Sequence, residues 1–199
     1  MAERGSYAKG VAKRAEILEV AVEVVGRNGF SGATVKELAD AVGLSQNGLL
    51  HYFGSKDQLF TEILRRRDEL DLVQDQRARS SEAIVAGLVG LVRHNAEVPG
   101  LVQLYARISN EAARDDHPSH EYFRDRYRTV QGAFTEVFAR LQQDGRLPEG
   151  ARPDRLAVLL VAMVDGLQTQ WMYDGDIDMA DHLLHFFDVL GVRRGALAS

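Results

Sequence analysis

The sequence contains no cysteine and only four prolines in 199 residues. The lack of cysteine excludes a disulfide framework, thiolate zinc sites and a cysteine nucleophile. No apolar run approaches the roughly 20 residues that cross a bilayer, and the first residues lack the apolar core of a signal peptide. Scarce proline and the absence of repeated strand-length alternation favour an all-helical fold. We therefore expect an all-α, cytoplasmic protein with no membrane partner.

Charge is unevenly distributed along the chain. Residues 1–67 hold ten Lys or Arg against eight Asp or Glu, a net charge of +2, whereas residues 68–199 hold fourteen against twenty-one, a net charge of −7. All four lysines lie within the first 56 residues. A basic end on an acidic body is typical of a protein with one surface for a polyanion. Chance placement of lysine in an arginine-rich sequence is the alternative interpretation.

Residues 34–56 have the pattern of a helix-turn-helix, in which two short amphipathic helices meet at a glycine. Thr34 followed by Glu37 is a capping box, so the first helix is predicted to start at residue 35. Gly43 can adopt the left-handed backbone conformation that ends this helix. Taken alone, the spacing also fits an ordinary surface hairpin of two helices.

The second helix of this pair would offer one polar face to a nucleic-acid groove. Ser45 is a good N-cap for it, and Leu49 and Phe53 mark its buried side. The opposite side carries the residues that we expect to face bases. They are Gln46, Asn47, Gly48 and His51.

The first 65 or so residues resemble the DNA-binding domain of the tetracycline-repressor (TetR) family of bacterial transcription regulators. Leu50 departs from the family pattern, in which a tyrosine commonly contacts a phosphate, and Tyr52 is the candidate replacement. The resemblance implies a DNA-binding domain over residues 1–54 and a helical ligand-binding and dimerisation domain over residues 55–199. Besides a basic N-terminal segment, it rests on Asn28-Gly29-Phe30, Thr34, Ala39, Gly43, Ser45, Leu49, Tyr52-Phe53, Ser55-Lys56 and Leu59.

A second group of residues is expected to hold the DNA backbone. The helix predicted to start near Lys56 would place free N–H groups beside that side chain, which favours a phosphate. Residues 1–10 are polar and expected to be flexible when free, so Arg4 and Lys9 could enter a minor groove as an arm. A terminus without a role is an equally good interpretation. The full set of expected phosphate contacts is Thr34, Lys36, Ser45, Tyr52 and Lys56.

The rest of the chain has the pattern of a helical bundle. Apolar side chains recur at spacings of four and three between residues 123 and 141, which predicts a packed helix. Several are aromatic, and such rings commonly line an apolar pocket between bundle helices. We therefore expect an apolar or aromatic small-molecule effector, although each residue taken singly is more often core than ligand contact. The candidate ligand residues are Tyr105, Ile108, Glu111, Phe123, Tyr127, Phe134, Met163, Gln168 and Trp171.

Residues 156–164 are apolar on every side of the predicted helix. Because such a helix must be covered on both flanks, a second subunit is expected to pack against it, together with the last predicted helix at residues 179–190. The TetR resemblance implies the same symmetric homodimer, and residues 165–178 look like one C-terminal subgroup of that family. The candidate dimer contacts are Leu160, Val164, Leu167, Leu183, Phe186 and Phe187.

Motifs of catalysis are missing from the sequence. It has no glycine-rich phosphate loop, nucleophile elbow or HExxH motif. The pairs His117/His120 and His182/His185 lack a third placed ligand, so no metal and no cofactor are expected. The sequence predicts a homodimeric regulator that represses at a palindromic operator in double-stranded DNA until a small molecule releases it. Activation by the same fold is the alternative, followed by a helical ligand carrier or adaptor, or an enzyme, that does not bind DNA.

Overall fold

The computed structural model describes residues 2–28, 34–75 and 80–192, without the side chains of residues 2–8, 28 and 71–75. These ranges contain helices and turns and no strand, which confirms the predicted all-α class. The helices are α1 (Ala2–Asn28), α2 (Val35–Ala41), α3 (Gln46–Phe53), α4 (Lys56–Asp75), α5 (Ser81–Glu97), α6 (Pro99–Glu111), α7 (His120–Gln143), α8 (Pro153–Tyr173) and α9 (Met179–Val189).

The chain forms two compact units, and each of them combines two segments that are separated in the sequence. The first unit joins residues 1–70 with residues 98–120, and the second joins residues 71–97 with residues 121–199. The helix-turn-helix therefore shares its unit with α6. The sequence predicts a boundary after residue 54, between a DNA-binding domain and a ligand-binding and dimerisation domain. That boundary stays a prediction.

The first unit places the helix-turn-helix on a helical support. Helix α1 packs against both α2 and α6, and α2 packs against α3. Val25 of α1, Leu49 of α3 and Leu104 of α6 are fully buried. Gly26 brings α1 close to the start of α6, because a Cβ there would lie 3.6 Å from Val98 Cγ1. The short α2 and α3 are thus held by tertiary packing, which helices of seven or eight residues need for stability.

The second unit has a continuous apolar core. Buried side chains from α5, α7, α8 and α9 meet there, including Val85, Phe138, Leu160 and Phe187. Helix α9 packs against both α5 and α8. In the described ranges, no helix is long and apolar enough to span a bilayer.

An ion pair ties the start of α5 to the turn after α7. The Arg146 guanidinium contacts the Glu82 carboxylate, and both side chains are partly buried. A backbone hydrogen bond, helped by the Arg146 side chain, holds the pKa of Glu82 below its ordinary value. The pair therefore adds a polar link at the edge of this unit.

Candidate nucleic-acid interface

The predicted capping box at the start of α2 is confirmed. The Glu37 N–H donates to Thr34 Oγ1 at 3.2 Å, and the Thr34 N–H donates to the Glu37 carboxylate at 2.8 Å. The Thr34 hydroxyl also lies 3.1 Å from that carboxylate. A phosphate contact by Thr34 would therefore have to compete with Glu37.

The turn between α2 and α3 depends on a left-handed glycine. Gly43 has a φ of 68°, as the sequence predicted, and the Leu44 N–H donates to the Ala39 carbonyl at 2.9 Å. This hydrogen bond satisfies one of the free carbonyls at the end of α2. The direction in which α3 leaves the turn is fixed by these contacts.

The cap of α3 gives Gly48 a structural role. The Gly48 N–H donates to Ser45 Oγ at 3.0 Å, and a Cβ at residue 48 would lie 3.1 Å from the same oxygen. A larger residue would crowd the cap. Because Ser45 Oγ acts as acceptor here, its hydroxyl proton is left to donate to a phosphate.

Helix α3 has one buried side and one polar side. Leu49 is fully buried and Phe53 nearly so, whereas Gly48 and Tyr52 are half-buried. The exposed side chains are those that the sequence assigned to the groove, and their contact with bases stays a prediction. They are Gln46, Asn47 and His51.

Arg14 of α1 braces α3 from behind. Its guanidinium lies 5.0 Å from the centroid of the Phe53 ring, and it also pairs with Glu62 of α4 at 3.0 Å. One side chain therefore links three helices around the candidate interface. Arg14 could not be recognised from the sequence, because a single arginine on a helix carries no motif.

The lysines near the helix-turn-helix keep their charges available. Lys36 and Lys56 are exposed and form no ion pair within the described part of the chain, although Lys56 Nζ lies 5.6 Å from the centroid of the Phe60 ring. By contrast, Arg65 and Arg66 on α4 pair with carboxylates. Among these four side chains, positive charge without a carboxylate partner in the described ranges therefore lies beside α2 and at the start of α4.

The expectation of a flexible N-terminal arm concerns residues 1–10. The backbone is helical from residue 2, so residues 2–10 continue α1. Lys9 lies exposed on this helix. A minor-groove contact by Arg4 or Lys9 stays a prediction. Gly29 and Phe30, which carry part of the family resemblance, lie outside the described residues.

Three candidate ligand residues lie on α6 in the first unit. Tyr105 and Ile108 are buried there. Glu111 is exposed and pairs with Arg107 at 2.8 Å. An exposed, paired carboxylate is a weak anchor for an apolar ligand.

The other six candidate ligand residues lie in the second unit. Phe123 and Phe134 are buried, and Met163 is half-buried. The Tyr127 hydroxyl donates to the Asp165 carboxylate at 2.9 Å, which joins α7 to α8. Gln168 and Trp171 follow Asp165 on α8.

Gln168 and Trp171 lie one turn apart on the inner side of α8. Gln168 is 6% exposed, and its amide oxygen has no hydrogen-bond partner among the described residues. Trp171 borders a cavity of about 340 Å³ whose other walls come from α5, the α8–α9 turn and the start of α9. The second unit thus contains an open space and, one turn along α8 from Trp171, a polar atom without a partner among the described residues.

Half of the candidate dimer contacts belong to the core of the protomer. Leu160, Leu183 and Phe187 are fully buried in the second unit, so they have no surface to offer a partner. The apolar pattern could not show which side of α8 faces inward. The outer side of α8 carries Val158, which is 49% exposed, and Leu159, which is 58% exposed and directly precedes the buried Leu160. Val164, Leu167 and Phe186 are half-buried.

Three of the four histidines that form the two candidate metal pairs, His117, His120 and His182, lie within hydrogen-bond distance of backbone groups. His117 Nδ1 accepts from the Ser119 N–H at 3.1 Å, and His182 Nδ1 lies 2.7 Å from the Asp178 carbonyl oxygen. In the described ranges, no group of three or more His, Asp or Glu side chains could hold a metal ion.

A capped helix-turn-helix with a polar outer face and exposed lysines beside it defines a DNA-binding protein of the helix-turn-helix class. Residues 17–63 match the model of the bacterial regulatory proteins of the tetR family, and residues 82–188 match that of the BetI-type transcriptional repressor C-terminal domain. The second match alone covers more than half of the chain. The chain therefore belongs to the TetR family of transcription regulators, which confirms the resemblance and decides against an enzyme.

Similar proteins agree with this assignment. The transcriptional repressor AcnR of Corynebacterium diphtheriae is 30% identical over 178 residues, covering 86% of this chain and 87% of its own. The structure of AibR in complex with isovaleryl coenzyme A and operator DNA has a TM-score of 0.64 at 20% identity, over 91% of this chain and 99% of that chain. A regulator from Saccharomonospora viridis in complex with choline has a TM-score of 0.67 at 21% identity, over 88% and 93%. At these identities the two structures show the shared fold.

Proposed function

We propose that this regulator is a cytoplasmic repressor that binds a palindromic operator as a homodimer and is released by a small-molecule effector. One observation carries the proposal: α3 exposes Gln46, Asn47 and His51 on a helix whose cap and turn are complete without DNA. A preorganised recognition helix loses little conformational freedom on binding. The relatives named as repressors favour repression over activation.

The residues around α3 divide into two roles. Side chains on its exposed face would read base edges in the major groove, where asparagine and glutamine can pair with adenine through two hydrogen bonds. Lys36, Lys56 and the Ser45 hydroxyl flank that face and would hold phosphates. The first group would supply discrimination between sequences, and the second would supply affinity that depends on salt.

A homodimer is supported by the apolar surface of the second unit. Six large apolar side chains are exposed in the described chain, and four of them lie on α8 or α9: Val158, Leu159, Tyr173 and Val189. Gly166 lies on the same outer side of α8, and a Cβ there would meet nothing within 4 Å. A partner could therefore approach α8 closely. Two-fold symmetry would set two recognition helices about 34–36 Å apart, one turn of DNA.

Effector control is supported by the interior of the second unit and by the related structures that hold ligands. A small molecule near Tyr127, Gln168 and Trp171 would weaken operator binding if it bound more tightly to the conformation unable to span both half-sites. The candidate ligand residues Tyr105, Ile108 and Glu111 lie on α6. They therefore belong to the same compact unit as the helix-turn-helix, not to the second unit.

Selection from a random duplex library with the purified full chain tests the proposal. Enrichment of one palindrome, bound with two chains per duplex, is the expected result. Transcription in vitro from a promoter that overlaps the enriched site should then fall when the protein is added, whereas a rise would identify an activator. Failure to enrich any sequence at low salt would contradict the proposed function.

A further inference from the structure

The two helices that carry the candidate base and phosphate contacts are joined by a short turn. Helix α3 ends at Phe53 and α4 begins at Lys56, so two residues, Gly54 and Ser55, separate them. Gly54 has a φ of 84°, a conformation in which glycine meets little steric restraint. The angle between α3 and α4 therefore depends also on side-chain contacts outside the turn.

Arg14 of α1 contacts both of these helices. Its guanidinium lies 5.0 Å from the centroid of the Phe53 ring, and its Nη2 lies 3.0 Å from Glu62 Oε2 on α4. Phe53 is 5% exposed and belongs to the buried side of α3, so Arg14 meets this helix away from its exposed polar face. A guanidinium is planar and has several donors, which lets it contact a ring and a carboxylate together.

Glu62 is held by a second cation on its own helix. Its other carboxylate oxygen, Oε1, lies 3.3 Å from Arg65 Nε, and the Glu62 side chain is 25% exposed. A carboxylate that is held from two sides and partly shielded from water makes a stronger pair than an isolated carboxylate at the surface. The contact between α1 and α4 at Arg14 therefore has a fixed partner.

We propose that Arg14 is a positioning residue for operator binding. It holds the end of α3 against α4, so that Asn47 and Lys56 reach bases and phosphates together, and it does not itself touch DNA. Arg14 lies outside residues 17–63, which match the family model of the DNA-binding domain. The inference rests on the proposed function, because it concerns how the same interface is held in shape.

Arg14→Met removes the charge and keeps a side chain that can still cover the Phe53 ring. We expect this variant of the full chain to bind the selected operator about tenfold more weakly and a scrambled duplex less than about twofold more weakly, with an unchanged slope against log salt on the scrambled duplex. Fluorescence anisotropy of labelled duplexes measures all three, at a temperature where circular dichroism shows a folded protein. Arg27→Met is the matched control, since Arg27 pairs with Glu23 within α1, and should change none of them.

Glu62→Met separates positioning from a simple effect of charge. It removes a negative charge from the DNA-binding unit and releases two cations, so charge alone would tighten binding to both duplexes. We expect the operator to be bound about tenfold more weakly despite this gain, because Arg14 loses its partner on α4. Glu69→Met is the control, since Glu69 pairs with Arg66 on the same helix, and should not weaken operator binding. This variant carries the test if Arg14→Met does not fold.

Three results would overturn the inference. A loss on both duplexes in Arg14→Met, with a slope lower by about 0.9 per site, would make Arg14 a phosphate contact. A lower melting temperature with unchanged operator affinity would make it a structural residue only. Tighter operator binding by Glu62→Met would show that charge outweighs position. If the unaltered protein does not prefer the operator, the proposed function is refuted, whereas a preference that both variants retain in full refutes this inference alone.

Discussion

Two glycines with different backbone conformations show how much the helix-turn-helix depends on single residues. Gly43 has a φ of 68°, a conformation that costs other residues about 1–2 kcal/mol. Gly90 lies in the middle of α5, is exposed, and has open space where a Cβ would stand. The first glycine is needed for the turn, while the second only lowers the stability of its helix.

Alanine at these two positions should therefore have opposite effects. Gly43→Ala is expected to lower the free energy of unfolding by about 1–2 kcal/mol, and Gly90→Ala to raise it by about 0.4–1 kcal/mol. Urea unfolding of both variants measures the difference. Equal effects of the same sign would show that the left-handed turn is not a point of strain for alanine.

At the scale of elements, we expect the link between α5 and the turn after α7 to depend on pH. The backbone hydrogen bond and Arg146 lower the pKa of Glu82 in the folded protein. A carboxyl group with a lowered folded pKa binds fewer protons than in the unfolded chain. Its contribution to stability is therefore complete above the unfolded pKa, and it is lost as pH falls through the folded pKa.

Glu82→Gln should lower the free energy of unfolding at pH 7 by about 0.2–1 kcal/mol, since the pair lies at a partly exposed edge. The difference from the unaltered protein should shrink below about pH 4, where the carboxyl becomes protonated. Unfolding curves across pH measure both effects. Glu149→Gln, at an exposed turn without an ion pair among the described residues, serves as control and should show neither.

The elements also show which features the sequence could predict. Thr34, Glu37 and Gly43 act through contacts within a few residues, so their cap and turn could be predicted from spacing. Helix α8 is different, because a segment that is apolar on every side does not indicate its inner side. The structure places Leu160 inside and Leu159 outside. A resemblance to the family could not resolve that choice either.

Two further features do not follow from local pattern. Residues 2–10 are polar and contain two glycines, which predicts a flexible segment, yet their backbone continues α1. Helix α6 lies in the middle of the chain, yet it packs against α1 in the first unit. Local pattern carries no information about such long-range packing.

At the scale of the whole molecule, the proposed homodimer depends on the outer side of α8. Leu159→Glu should place a charge in the interface and convert the dimer to a monomer, with loss of most operator affinity, because one recognition helix contacts only half a site. Sedimentation at micromolar concentration measures the mass. Leu70→Glu is the control, since Leu70 is an exposed leucine of α4. A dimer that persists in Leu159→Glu would move the interface elsewhere.

We propose that α3 reads bases while the lysines beside it hold phosphates. A comparison of Asn47→Ala and Lys56→Ala on the selected operator and on a scrambled duplex, over a range of salt, tests this division. Asn47→Ala should lose about 1–3 kcal/mol per half-site on the operator and little on the scrambled duplex. Lys56→Ala should weaken both and flatten the slope against log salt by about 0.9 per site. If both variants lose the same affinity on both duplexes, the division between base and phosphate contacts is contradicted.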